Sequence, residues 1–140
     1  MTDSEVRDVV HSYYWIDDLN CATTTLKTLS KAFSIEISSQ VIDAAVGMHG
    51  AGKYGAQCGL VEGTLLFIGI YGRFINLEDK ETIEICYSFA EGFEKNFYSL
   101  LCSKIRPGGF NKNDPEHLCE DVTVRAIIWI INFIKNEMAK

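Results

Sequence analysis

Five cysteines, Cys21, Cys58, Cys86, Cys102 and Cys119, are the residues of this 140-residue chain best suited to chemistry. Thiolates ligate iron and zinc, and paired thiols carry electrons as disulfides. No two of the five form a C-x-x-C pair, so neither a zinc ribbon nor a thioredoxin-type motif is written locally. Taken singly, each also reads as a small apolar core residue. Cys86 suits that role best, lying in a helical pattern among Ile83, Ile85 and Ala90. The other four fall near expected helix ends. There the free N–H groups of a first turn, where the cysteine begins the helix, favour a thiolate.

Cys58 nearly closes the glycine-rich stretch GMHGAGKYGAQCG, residues 47–59. From Gly47 the spacing is G-x-x-x-x-G-K, and from Gly50 it is G-x-G-x-x-G. Both are nucleotide-binding patterns only when a strand delivers the chain to the turn and a helix receives the phosphate. Here a helical pattern precedes Gly47, and Tyr54 stands where a P-loop has its magnesium-binding hydroxyl. No βαβ unit surrounds the glycines. An inter-helix loop that delivers Cys58 to the start of a helix is the better reading, and Cys58 outweighs Lys53 as its functional residue.

The elements that must position these cysteines are helical almost throughout. Asp3 is a cap for a first helix near Ser4–Tyr14. Asp17 or Asp18 caps a second, with Cys21, Leu26, Leu29 and Phe33 on one face. Ser38 or Ser39 starts a short third helix, Gln40–Val46. After the glycine loop, a fourth runs from Cys58 to about Phe74 and a fifth from about Glu78 to Leu101, so that Cys102 ends it. The loop RPGGFNKND leads to a last helix capped by Asn113 or Asp114, with Pro115 and Glu116 in its first turn and Cys119 in its second. The expected fold is all-α: a compact bundle of about six helices in one domain, residues 1–140, with the glycine loop between helices three and four.

The bulk properties exclude several classes. A net charge of −6 gives no basic face for nucleic acid, and Lys and Arg are scattered rather than clustered for an anionic membrane. The longest apolar run, Ala126–Ile131, is far short of the ~20 residues that span a bilayer. The polar, acidic start MTDSEVRDVV is unlike a secretory signal, which points to the cytoplasm and to cysteines that are reduced, metal-bound or redox-active. The apolar faces of helix four and the last helix are extensive enough to suggest a homodimer.

The cysteine in its N-C-A setting early in helix two, the run QCGLVEGTLLFIGIYGR, the cysteine of FYSLLC and a last one after a glycine-containing loop together resemble the C_GCAxxG_C_C family of redox-active proteins. The resemblance covers nearly all of the chain after about residue 15. It implies that Cys21, Cys58, Cys102 and Cys119 are the redox-active residues and the metal ligands. It also implies that Gly50, Gly52, Gly55 and Gly59, followed by Gly63, form the frame that holds a cofactor. The match is not complete: Gln57 and Gly59 stand where the pattern has Gly and Ala, and Gly63 lies one place beyond the patterned glycine. What it implies is electron transfer with a redox partner protein. An iron–sulfur cluster on four thiolates, a dithiol/disulfide such as Cys102 with Cys119, and a zinc ion are all chemically writable.

His49 and His117 are candidate ligands or proton carriers, although lone histidines more often cap or sit at the surface. Lys53 suits an anionic ligand or a solvated turn. Glu62 and Glu84 suit proton-coupled chemistry less well than solvent or ion pairing. Arg73 complements the end of helix four. The reading that best joins these features is an electron carrier or accessory redox module. The alternative is a zinc-stabilised or metal-free helical interaction module without redox chemistry.

Overall fold

The computed structural model describes residues 1–109 and 113–138. Eight helices follow one another: α1 (Asp3–Trp15), α2 (Cys21–Phe33), α3 (Ser39–Ala44), α4 (Gly50–Lys53), α5 (Gly59–Phe74), α6 (Asp79–Phe97), α7 (Cys102–Ile105) and α8 (Glu120–Glu137). The fold is all-α, as expected, and no β-strand occurs among the described residues. The two helices beyond the expected six, α4 and α7, are single turns.

Local chemistry explains most of the boundaries. Thr2, not Asp3, caps α1: its hydroxyl accepts the Glu5 N–H, and the Glu5 carboxylate accepts the Thr2 N–H in return. Asn20, not Asp17 or Asp18, caps α2 by accepting the Thr23 N–H at 3.0 Å. Asp18 instead takes a left-handed conformation (φ 51°) in the turn between them. Ser38 precedes α3, and Cys58 stands as the N-cap of α5.

Two boundaries depart from the pattern in the sequence. Helix α6 stops at Phe97 because Tyr98 turns left-handed (φ 71°), a conformation that costs a residue with a Cβ and that its identity does not advertise. Cys102 therefore opens α7 rather than ending α6. The last helix starts at Glu120, with Cys119 as its N-cap rather than in its second turn. Asp114 does not cap that helix; it accepts from the Arg106 guanidinium at 3.2 Å.

Helix α2 packs most closely on α5, α5 packs on α6, and α8 contacts α1, α2, α5 and α6. Leu26, Leu29, Leu60, Phe67, Ile68, Phe89, Phe93, Ile127, Ile130 and Ile134 are fully buried where these helices meet. The α2–α5 approach is close because Gly59 and Gly63, one turn apart on α5, present no side chain to α2. A Cβ at Gly63 would stand 2.7 Å from the Ala22 carbonyl oxygen. The apolar faces of α5 and α8 are thus largely covered within the chain. The exposed large apolar side chains include Phe74 at the end of α5 and Ile83 and Tyr87 on α6.

Candidate functional site

Residues 50–58 and 100–103 form the frame of the site. The Cys58 N–H donates to the Leu100 carbonyl (2.8 Å), the Cys102 N–H to Ala56 (2.7 Å) and the Ser103 N–H to Gly55 (3.3 Å). An antiparallel bridge, Gln57–Leu101, lies at the centre of this pairing. It joins two cysteines 44 positions apart in the chain. Ahead of it, Gly50, Ala51, Gly52 and Lys53 all take φ between 54° and 71°, a left-handed turn that two glycines ease and Ala51 and Lys53 must tolerate. The turn is held by Gly52 N–H to Gly47 and Lys53 N–H to His49, both 2.9 Å. No strand precedes it. The phosphate-loop geometry that its spacing imitates is therefore lacking.

Cys21, Cys58, Cys102 and Cys119 all line one cavity of about 10 Å³, closed by Leu60, Ile105, Arg106, Val122 and Thr123. Each begins a helix: Cys21 and Cys102 are the first residues of α2 and α7, and Cys58 and Cys119 are the N-caps of α5 and α8. The positive ends of the longer three, α2, α5 and α8, therefore meet at the four thiols. Cys86, the fifth cysteine, lies half-buried on α6 and does not line the cavity. All five are free thiols.

Glycine makes room for two of the sulfurs. A Cβ at Gly59 would stand 2.4 Å from the Cys21 sulfur and 2.9 Å from the Ala22 nitrogen; one at Gly50 would stand 2.9 Å from the Cys102 Cβ and 3.1 Å from its sulfur. Gly52 and Gly55 play other parts: a Cβ at Gly52 would face open space, and Gly55 offers its carbonyl to Ser103. Of the expected glycine frame, Gly50 and Gly59 thus touch cysteines, whereas Gly63 spaces α5 from α2.

Burial governs the protonation of the thiols. It raises Cys21 well above the ordinary thiol range, with charge on Cys58, Cys119 and Cys102 adding to the effect. Cys58 is pushed up to about 12 by burial, although the Leu60 and Val61 amides act in the opposite direction. Burial also raises Cys102 and Cys119, and Arg106 opposes it at both. The expectation that a helix N-terminus would favour a Cys58 thiolate is therefore corrected. The amides do pull in that direction, but desolvation outweighs them. Four neighbouring neutral thiols are a donor set that a bound cation would ionise.

Cys21, Cys102 and Cys119 also face a cleft of about 530 Å³, which His49, Lys53, Arg106 and His117 line as well. His117 is held against α1 by stacking on Tyr14 (centroids 5.0 Å apart), an edge contact with Trp15 (4.9 Å) and a 3.2 Å approach to Asp18. The Tyr14 hydroxyl pairs with that of Thr123 at 2.8 Å, anchoring α1 to α8 one turn after Cys119. The Nδ1 atom of His49 is buried without a hydrogen-bond partner among the described residues. Burial, then Lys53, lowers the pKa of this ring, which disfavours its charged form.

Glu62 accepts a hydrogen bond from the Gln57 amide. Arg73 pairs with Asp79 at 2.8 Å on the surface, and Glu84 is exposed. None of these three lines the cavity or the cleft.

Arg106, Tyr14 and Asn20 were not legible as site residues. The clue for Asn20 is its place directly before Cys21, where it caps α2 and donates from its amide to the Val46 carbonyl at 2.8 Å. Asn20→Ala is expected to cost about 1 kcal/mol through the lost cap. Chemical denaturation should show the midpoint falling with an unchanged slope.

Four cysteines are thus gathered at one cavity from four helix starts. Residues 19–133 match the family described as "Putative redox-active protein (C_GCAxxG_C_C)", and the chain belongs to it. No curated protein and no solved structure matches the chain. Among the described residues, no helix is long and apolar enough to cross a membrane.

Proposed function

We propose that this redox-active family member is an electron carrier whose centre is an iron–sulfur cluster on Cys21, Cys58, Cys102 and Cys119, serving a separate redox partner protein. The observation that carries this reading is the meeting of those four thiols at one cavity. When bound, such a cluster supplies one-electron chemistry at a potential tuned by its surroundings. The chain's own contribution is to present four sulfurs from rigid helix starts, to leave space beside two of them with glycines, and to surround negative charge with helix N-termini.

The donor set fits a cluster in kind. Thiolates are its ordinary ligands, and three of the four cysteines also face the larger cleft, where there is volume beyond the 10 Å³ cavity. Among the described residues, no group of three or more His, Cys, Asp or Glu side chains is arranged to hold a metal ion, so the reading rests on the shared cavity and on the chemistry of four thiols. Thiol–disulfide exchange is the second reading; burial raises the pKa of both Cys102 and Cys119, the pair named for it, which disfavours the attacking thiolate, although Arg106 opposes this.

Purification without oxygen, with iron and labile sulfide measured beside the visible spectrum, tests the proposal. Broad absorbance near ~400 nm with iron and sulfide in matching amounts is expected for cysteine ligation. Colourless protein that takes up neither on anaerobic reconstitution overturns it. Stoichiometric zinc would favour the structural-metal alternative, and a reversible loss of two thiols under mild oxidant would favour the disulfide.

A further inference from the structure

Arg106 stands over the site from the loop after α7. Its Nη1 donates to the Cys119 sulfur at 3.8 Å, its Nε to the Gly109 carbonyl at 3.2 Å and its Nη2 to the Asp114 carboxylate at 3.2 Å. Its side chain is 21% exposed and that of Asp114 15%, so solvent screens the group only partly. The guanidinium is a planar fork, and two of its edges are committed to holding it in place. The third is aimed at sulfur. Arg106 lines both the small cavity and the cleft.

We infer that Arg106 is a positioning residue that stabilises negative charge on the Cys119 sulfur and so sets the reduction potential of the four-cysteine centre, an inference that rests on the cluster reading above. One-electron reduction adds negative charge to a thiolate-ligated centre. A hydrogen bond and a fixed positive charge at one ligand stabilise the reduced form more than the oxidised form. Asp114 orients the guanidinium and offsets part of its charge. What remains specific to Arg106 is the donor on sulfur. Lys53 lines the same cleft but makes no hydrogen bond to a cysteine sulfur among the described residues, and it is the natural control.

The test compares wild type, Arg106→Gln, Arg106→Lys and Lys53→Gln. Iron and sulfide are quantified in each, and midpoint potentials are then measured by optical redox titration with mediators. Arg106→Gln is expected to be about tenfold harder to reduce, which is ~59 mV for a one-electron couple. Arg106→Lys is expected to shift less in the same direction, and Lys53→Gln less than Arg106→Gln. A residue that only anchored the loop would lower cluster content and leave the potential of the loaded fraction alone.

Cluster-free protein gives a second readout. Alkylation of Cys119 by iodoacetamide, followed by mass spectrometry of its peptide, is expected to slow about tenfold in Arg106→Gln, because the thiolate is the nucleophile. Loaded Arg106→Gln with the wild-type potential, or an unchanged Cys119 rate in cluster-free protein, overturns the inference. Wild type without iron and sulfide overturns the cluster reading instead, and the alkylation rates still judge Arg106.

Discussion

Cys58→Ser is expected to remove most of the iron and sulfide from protein purified without oxygen and to abolish its absorbance near ~400 nm, the signature of cysteine ligation. Cys58 is 4% exposed, and its backbone N–H is tied to Leu100 at 2.8 Å, so no neighbouring group readily takes its place. Substitutions in the shell around metal ligands already cost roughly 10–100-fold in affinity, and loss of a ligand should exceed that. Serine is nearly isosteric with cysteine, and the N-cap of α5 tolerates a hydroxyl, so the helical circular-dichroism spectrum should be kept. Cys86→Ser on α6 is the matched control, because Cys86 lies outside the cavity. Undiminished iron in Cys58→Ser, or equal losses in both variants, would remove the basis for placing the centre at these four cysteines.

The second large effect concerns the packing that brings α2 and α5 together. Gly63→Leu is expected to destabilise the protein by about 3 kcal/mol or more, the upper end of overpacking costs. The first added carbon alone would stand 2.7 Å from the Ala22 carbonyl oxygen and 3.1 Å from the Thr25 Cβ. A backbone carbonyl cannot rotate away as a side chain does. The helices would have to separate, moving Cys21 at the start of α2 away from Cys58. Gly69→Ala on the same helix has nothing within 4 Å of its new Cβ and should stabilise by up to about 1 kcal/mol through helix propensity. Thermal melts of the pair should therefore move in opposite directions. Equal shifts would mean that Gly63 is not a spacer.

Gly59 connects these two predictions. The family pattern has alanine at this place, yet in this chain a Cβ there would meet the Cys21 sulfur at 2.4 Å. The departure from the pattern is therefore matched by a cysteine seated where the methyl group would be. Gly63, one turn further on, takes up the spacing against α2. The glycines that imitate a nucleotide loop divide between two mechanical tasks: turning the chain left-handed at 50–53, and letting α5 approach α2.

Much of the architecture was written locally. The three-to-four-residue apolar spacing of α2, α5, α6 and α8, the serine before α3 and the glycines before α5 are short-range signals, because helices close their hydrogen bonds within four residues. The same local logic placed Cys58 at a helix start. It failed where a side chain found a distant partner: Asp114 serves Arg106 rather than the last helix, and Tyr98 accepts a left-handed conformation that lets the chain return along residues 55–58.

Composition and periodicity thus determined by themselves that this chain forms a helical bundle with most of its cysteines near helix ends, and the order of those cysteines carried the family resemblance. Only the tertiary structure decided that Cys21, Cys58, Cys102 and Cys119 share one cavity, that Cys86 is excluded, and that Arg106 is aimed at Cys119. The reason is one of range. Helix formation is encoded by neighbours, whereas the meeting of residues up to 98 positions apart depends on which helix faces can approach, and here two absent side chains on α5 set that distance.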